Sequence, residues 1–265
     1  MHMHTWAATG VYDNGELCAP CTDPQCEAEA RRKKNGRWVI SPTGFGTTIN
    51  GIKLDIEDDV EGGVAKVICR EVAQVYAPNL IDFQPGDVVL DIGAHVGIVS
   101  IYLAKQWPGL RIYAYEPVLR NFQKLLRNIW ANDVQNVKAH PLAVSSDGRA
   151  LILTANLHQN SGGATAFAVK SDGTRFTAES LTLAQIFVNN NINRCRLLKL
   201  DCEGAEHEIL NGNPQILDRV DYLCGEFHIN AHLEKMGHSI ENLLTLCRRH
   251  MQPDHIMVSS CRMSE

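Results

Sequence analysis

Four polar residues at the ends of two predicted strands could together activate a hydroxyl group. Asp201 and Glu203 follow one strand, and Glu226 and His228 end the next one along the chain. Residues two apart in a strand point to the same side of a sheet, so Glu226 and His228 should lie side by side and near Asp201 and Glu203. We therefore predict acid/base catalysis at a hydroxyl, with Asp201 or His228 accepting the proton.

The same cluster allows two other interpretations. Asp201 and Glu203, with or without Glu226, offer hard oxygen ligands of the kind that Mg²⁺ or Mn²⁺ accepts. Alternatively, Glu203 caps the helix that begins just after it, and His228 is only a strand-end residue. Lys199 precedes the cluster and could neutralise it, although a single lysine is most often structural.

A glycine-containing loop follows the first strand of the main domain. It runs Asp91-Ile92-Gly93-Ala94-His95-Val96-Gly97, and its glycines let the backbone approach a ligand closely. The spacing G-x-x-x-G departs from the dinucleotide fingerprint G-x-G-x-x-G, which disfavours a pyrophosphate cradle. The loop predicts a nucleotide-type cofactor site, and its candidate binding residues are Asp91, Gly93, Ala94, His95 and Gly97.

The second strand ends in Tyr115-Glu116-Pro117. A carboxylate at this place in such folds holds ribose hydroxyls, so Glu116 and its neighbour Pro117 indicate an adenosine moiety. The structural alternative is that Asp91 caps a turn and Glu116 is a solvated strand end.

Strands and helices alternate through the main domain. We predict strands over 88–92, 111–115, 137–144, 196–200, 221–227 and 255–259, with helices over 97–107, 118–132, 181–190, 205–211 and 240–250. This alternation predicts an α/β, Rossmann-like, doubly wound and mostly parallel sheet over 81–265. An irregular extension (1–36) and a β-hairpin with a covering helix (37–80) precede it, and Asn50-Gly51 is the hairpin turn.

Composition limits the classes of partner. The formal net charge is -5 and no long Lys/Arg stripe is present, which disfavours a nucleic-acid partner. The start lacks the features of a signal peptide and no apolar run is long enough for a membrane span, so we expect a cytoplasmic protein with no membrane partner. A small hydroxylated molecule is the expected substrate, and no motif bears on its identity or on oligomeric state.

Two further segments have open roles. Cys18, Cys21 and Cys26 have metal-like spacing but lack a clear fourth ligand, so free thiols and no metal are the preferred interpretation. Residues 158–163 belong to a long excursion and form either a binding loop or an ordinary hairpin turn.

Several motifs together resemble the FkbM family of methyltransferases over about residues 70–230. They are VVLDIGAHVG (88–97), AYEP (114–117), Phe122, Leu125 and Asn128, LAVS (142–145), LTL (181–183) and KLDCEGAE (199–206). The resemblance implies S-adenosylmethionine as cofactor, a role for Ala143 in binding it, and methylation of a hydroxyl on a sugar or natural product. His95 and the short C-terminal part depart from the family pattern.

A methyltransferase is therefore the leading hypothesis. An NAD-dependent oxidoreductase and a catalytically silent module that binds an adenosine cofactor are the alternatives. The missing third glycine argues against the first alternative, and the acidic cluster argues against the second.

Overall fold

The structure is a computed structural model that describes residues 31–32, 38–39, 44–58, 68–69, 71–72, 76–155, 163–167 and 173–263. Cys18, Cys21 and Cys26 lie outside these residues, as does most of the predicted loop over 158–163. The amino-terminal extension over 1–36 is likewise almost entirely outside them. The proposed roles of these segments stay predictions.

The strands are β1 Arg31–Arg32, β2 Trp38–Val39, β3 Gly44–Ile49, β4 Ile52–Glu57, β5 Val88–Ile92, β6 Arg111–Tyr115, β7 Val137–His140, β8 Ala143–Val144, β9 Leu151–Ala155, β10 Thr174–Ala178, β11 Ser180–Leu181, β12 Cys195–Leu200, β13 Val220–Ile229 and β14 Ile256–Arg262. The helices are α1 Ile98–Gln106, α2 Leu119–Ala131, α3 Leu183–Asn189, α4 Glu206–Gly212, α5 Ala231–Lys235 and α6 Ile240–Arg248. Short 3₁₀ turns cover Pro78–Leu80, Pro214–Arg219 and Pro253–His255.

A six-stranded sheet forms the centre of the molecule, with strand order β14-β13-β12-β5-β6-β7. Every neighbouring pair in it is parallel. The chain builds outward from β5 to β7, then returns to the other side of β5 and builds outward to β14. This is the doubly wound Rossmann order, and it confirms the predicted fold class. The point where the order reverses, at the carboxyl ends of β5 and β12, is where such sheets bind ligands.

Side chains of β5 alternate between two apolar layers, which explains why this strand is a continuous apolar run. Val88, Leu90 and Ile92 pack in a core cluster with residues of α3, α4 and α6. Val89 points to the other face and packs with residues of α1 and of the β3–β4 hairpin. A parallel strand covered on both faces needs apolar residues at successive positions. The charged residue Asp91 is therefore an exception within β5.

The predicted hairpin is present as the antiparallel pair β3–β4, in which Ile49 pairs with Ile52. Asn50 and Gly51 form the two-residue turn with φ angles of 47° and 84°. Positive φ at both central positions matches the right-handed twist of the strands, which is why Asn-Gly is favoured there.

Two asparagines, one in α2 and one at its C-terminal cap, fasten this hairpin to the central domain. Asn128 accepts a hydrogen bond from the backbone N–H of Glu57 (2.7 Å) and donates to the carbonyl oxygens of Glu57 (3.0 Å) and Val96 (2.8 Å). Asn132 makes the same pair of bonds to the backbone of Asp55. The asparagine amides thus take the place of a neighbouring strand along β4, and Asn128 also connects β4 to the loop after β5.

Several elements differ from the predictions. The covering helix predicted over 64–80 does not continue to residue 80, because Ala77 has a left-handed φ of 38° and Pro78–Leu80 is a 3₁₀ turn. The strands β9 and β10 were not predicted, and they form an antiparallel pair inserted between β8 and β11. Within the described ranges, no helix is both long and apolar enough to cross a bilayer.

We expect Asn128→Ala to lower the free energy of unfolding by about 2–4 kcal/mol. The substitution leaves buried backbone groups of Glu57 and Val96 without their partners, and each such group costs about 1–3 kcal/mol. Urea unfolding of Asn128→Ala and of the control Asn189→Ala, which removes an exposed amide on α3, measures the difference. Equal losses in the two variants would show that the asparagine bonds do not hold the hairpin.

Candidate active site

A cavity of about 350 Å³ opens at the carboxyl ends of β5, β6, β12 and β13. This volume lies within the range of about 300–1,000 Å³ that is usual for small-molecule sites. The predicted site residues that line it are Gly93, Ala94, His95, Glu116, Pro117, Ala143, Asp201, Glu203, Glu226 and His228. The structure therefore brings together the two groups that were predicted separately, one for a cofactor and one for catalysis. Asp91 and Gly97 do not line the cavity, and their direct contact with a cofactor stays a prediction.

Asp91 lies beneath the loop and is completely buried. Its carboxylate accepts a hydrogen bond from the Ser100 hydroxyl of α1 (2.7 Å) and lies 3.2 Å from Nζ of Lys199 on the adjacent strand β12. Lys199 also donates to the carbonyl oxygen of Gly93 at 2.6 Å. Burial lowers the pKa of Lys199, but the charges of Asp91 and Asp201 more than offset this, so the pKa is raised overall and the ammonium is charged.

Gly93 and Gly97 have φ angles of 77° and 90°, a region that residues with a Cβ rarely adopt. A Cβ on Gly93 would lie 1.9 Å from the carbonyl oxygen of Asp201, and one on Gly97 would lie 2.2 Å from Cδ1 of Leu125. The first glycine lets the loop touch the end of β12, and the second lets α1 pack against α2. Both are needed to shape this edge of the cavity.

His95 occupies the position at which the sequence departs from the family pattern that it otherwise resembles. It has a φ of 51° and is almost fully buried. Burial lowers the pKa of His95 to about 4, so the imidazole is neutral at neutral pH. A neutral ring suits a site beside a cationic ligand.

Glu116 also holds the loop in place. Its carboxylate accepts hydrogen bonds from the backbone N–H groups of His95 (2.8 Å) and Val118 (2.9 Å). Burial raises the pKa of Glu116 to about 7, against the lowering effect of these hydrogen bonds. A carboxylate oxygen has two lone-pair sites, so these bonds leave room for a ligand hydroxyl on a group that lines the cavity.

Within the predicted catalytic cluster, the Asp201 carboxylate lies close to several other polar side chains of the site. Its Oδ2 accepts a hydrogen bond from the Tyr76 hydroxyl (2.9 Å) and lies 3.7 Å from Nζ of Lys199. Its Oδ1 lies 4.0 Å from Nε2 of His228. Tyr76 was not predicted, because it lies far away in sequence and its segment showed only a helical apolar pattern.

Glu206 was also missed as a functional residue. It is fully buried, and its Oε1 lies 3.1 Å from Nδ1 of His228. The same carboxylate accepts hydrogen bonds from the backbone N–H groups of Cys202 (2.7 Å) and Gly204 (3.0 Å). Glu206, rather than the predicted Glu203, thus bonds the backbone at the start of α4. An acid in the first turn of a helix is a signal that could have indicated it.

His228 is charged in this environment. Burial lowers the pKa of His228, but the hydrogen bond to Glu206 and the charges of Glu206, Asp201 and Glu203 outweigh burial and raise it to about 9. A protonated imidazole has no lone pair with which to accept a proton. Of the two predicted proton acceptors, the structure therefore favours Asp201.

The cavity has an apolar half and an acidic half. Leu142, Ala143, Leu151 and Leu153, from the region of β8 and the β9–β10 hairpin, line the first half. Asp201, Glu203, Glu226 and Glu71 line the second half, together with His228. Burial and the charges of Glu226 and Asp201 raise the pKa of Glu71, which shows how closely negative charge is gathered there.

The carboxylate set that was considered for Mg²⁺ or Mn²⁺ does not converge. In the part of the chain that the structure describes, one set of three metal-binding side chains has all its donor atoms within 4.8 Å of one another. This set is Glu226, His228 and Cys261. Asp201 and Glu203 are not members, so the structure does not support a site made by Asp201, Glu203 and Glu226.

The topology and the cavity define a Rossmann-like α/β protein with a small-molecule site at the switch point of its sheet. The sequence profile described as "Methyltransferase FkbM domain" matches residues 91–251, which is more than half of the 265 residues. The chain belongs to this family of methyltransferases. The match confirms the family resemblance and favours a methyltransferase over the oxidoreductase alternative.

Curated relatives cover similar parts of the chain. Methyltransferase 1 of Beauveria bassiana is 24% identical over 60% of this chain and 74% of its own length. The 31-O-demethyl-FK506 methyltransferase FkbM of Streptomyces tacrolimicus is 25% identical over 58% of this chain and 70% of its own length. Among solved structures, a SAM-dependent methyltransferase from Agrobacterium tumefaciens is 10% identical with a TM-score of 0.36, over 87% of this chain and 58% of the other. The chain thus spans less than two thirds of that solved structure.

The charge on His228 can be tested by titration. The pKa of His228 in the folded protein, about 9, is above the ordinary value of 6.5, so its stabilising effect is complete below about pH 6.5 and is lost as the pH rises through 9. NMR should show a ring titration with a midpoint near 9, assigned by its absence in His228→Gln. In Glu206→Gln the midpoint should fall, whereas the exposed control Glu241→Gln should leave it unchanged. A midpoint near 6.5 in the parent protein would contradict this assignment.

Proposed function

We propose that the chain is an S-adenosylmethionine-dependent methyltransferase that methylates a hydroxyl oxygen of a small molecule, of the sugar or natural-product kind. The observation that carries this proposal is that one cavity combines an apolar lining, the Glu116 carboxylate and an acidic group around Asp201. The name of the Streptomyces relative, a 31-O-demethyl-FK506 methyltransferase, adds support for an oxygen acceptor.

The cavity fits the parts of this cofactor. The aliphatic side chains of Leu142, Ala143, Leu151 and Leu153 offer a surface suited to the faces of an adenine ring. Glu116 lines the same cavity and would accept hydrogen bonds from ribose hydroxyls. The carboxylates of the acidic half would attract the positively charged sulfonium of the cofactor.

The cofactor supplies a methyl carbon whose bond to positively charged sulfur breaks as the bond to the acceptor oxygen forms. The protein must align the acceptor and take up its proton. Asp201 is our candidate for the proton acceptor, because its carboxylate reaches the cavity and is held by the Tyr76 hydroxyl. Glu203, Glu226 and the charged His228 form the face against which the acceptor docks.

Glu116→Ala should weaken binding of S-adenosylhomocysteine by about 10–150-fold, because it removes a charged hydrogen-bond acceptor worth about 1.5–3 kcal/mol. Isothermal titration of the parent protein, of Glu116→Ala and of the exposed control Glu241→Ala gives the comparison. NAD should not bind to the parent protein. Unchanged affinity in Glu116→Ala would refute its role, and binding of NAD alone would refute the cofactor assignment.

Asp201→Asn should keep the affinity for S-adenosylhomocysteine but lower turnover by about 10²–10⁴-fold, the usual contribution of a positioned base. The amide oxygen can still accept the Tyr76 hydrogen bond, so the fold should be preserved. Transfer of a labelled methyl group to an acceptor found in a panel of hydroxylated small molecules gives the turnover. The exposed Asp254→Asn is the matched control. Undiminished turnover would leave alignment alone as the source of catalysis.

A further inference from the structure

The side chains of Glu226, His228 and Cys261 meet at the acidic end of the cavity. Glu226 and His228 are two residues apart on β13, and Cys261 is the direct register partner of His228 on the parallel strand β14. Side chains at these positions project from the same side of the sheet. One carboxylate oxygen, one imidazole nitrogen and one sulfur therefore lie within 4.8 Å of one another.

We propose that Glu226, His228 and Cys261 bind a divalent transition-metal ion of the zinc type. In a tetrahedral zinc site, bond lengths of about 2.0–2.3 Å place neighbouring donor atoms about 3.3–3.8 Å apart. Nε2 of His228 and Oε2 of Glu226 are already 3.7 Å apart. A small rotation of the partly exposed Cys261 side chain would bring its sulfur to the same spacing.

Neighbouring residues orient two of these donors as metal ligands are usually oriented. Nδ1 of His228 bonds to the buried Glu206 carboxylate, which directs Nε2 toward Glu226. A carboxylate behind the imidazole is a typical outer partner of a metal-binding histidine. The Ser259 hydroxyl donates to Oε1 of Glu226 (3.2 Å) and leaves Oε2 facing His228.

The chemical types of the three donor atoms determine which metal ion the site would favour. A thiolate is a soft ligand that disfavours Mg²⁺ and Ca²⁺, whereas a set of sulfur, imidazole and carboxylate suits zinc. Three protein ligands also leave one coordination position for a substrate atom or water. Glu226 and His228 line the cavity, so that position would face the space where the acceptor docks.

The role of the ion, though not its binding, rests on the proposed function. An acceptor hydroxyl bound at the open position would become more acidic, because the ion stabilises the oxyanion that forms. Its proton would pass to Asp201, whose Oδ1 lies 4.0 Å from Nε2 of His228. Metal binding would displace the proton from Nε2 of His228, which then acts as a ligand, and Asp201 keeps its role as the proton acceptor.

Metal binding can be measured on the full chain without any methyl acceptor. The chain, freed of metal with a chelator, is titrated with Zn²⁺ in a calorimeter and with Co²⁺ in a spectrophotometer. We expect Cys261→Ser and His228→Gln each to bind one equivalent of Zn²⁺ fewer than the parent chain. Cys261→Ser should also lose the part of the thiolate-to-cobalt absorption that belongs to this equivalent. The control Cys247→Ala, which removes a buried thiol of α6 from another part of the protein, should keep the stoichiometry.

Counting equivalents separates this site from any metal on Cys18, Cys21 and Cys26, since the substitutions at 228 and 261 leave those thiols intact. The same stoichiometry in the parent chain, Cys261→Ser and His228→Gln would overturn the proposal, as would no binding by the parent chain. Titration of the same samples with S-adenosylhomocysteine distinguishes failure of the metal site from failure of the proposed function. Zinc binding that depends on Cys261 without binding of S-adenosylhomocysteine would preserve the site and remove its proposed role.

Discussion

The buried contact of Lys199 with Asp91 and Gly93 is the constraint on which the site depends. It joins the two central strands, β5 and β12, at the point where the strand order reverses. Taking a lysine and an aspartate out of water costs several kcal/mol per ion, and the cost is offset only when geometry and hydrogen bonds are good. Here Ser100 and the Gly93 carbonyl supply those bonds. The ion pair thereby positions the loop that edges the cavity, and it gives Asp91 a role within the protein beneath that loop.

A second network of charged groups lies around the end of β13. Unlike the Lys199 contact, it leaves some of its groups directed into the cavity. The Glu206 carboxylate hydrogen-bonds to the backbone of the β12–α4 loop and to His228. The side chains of Asp201 and Glu226, by contrast, remain about a quarter exposed. The segment 163–167 is tied to this loop, because Thr165 donates to the carbonyl oxygen of Glu203 and Asn230 donates to that of Phe167. The acidic half of the cavity is therefore built from chain segments that brace one another.

Much of the fold followed from local pattern. The strands β5 and β6 have the predicted bounds, because parallel strands covered on both faces appear as short apolar runs between turn residues. The hairpin turn at Asn50-Gly51 was predicted for an equally local reason. The β9–β10 pair was missed, since its strands pair across a long insertion and β10 is largely polar and exposed, so no apolar pattern marked it.

The sequence by itself determined the fold class, the family, and the polar residues that end the central strands, because each of these depends on residue type and short-range spacing. Tertiary structure alone decided what those residues touch. It turned Asp91 toward Lys199, placed Tyr76 on Asp201, and set Cys261 beside His228. It also put Glu206 against His228, which raises the pKa of the imidazole and changes its role from proton acceptor to cation. The physical reason is that such contacts depend on strand register and on which face of the sheet each side chain occupies, and both are set by packing between residues far apart in the chain.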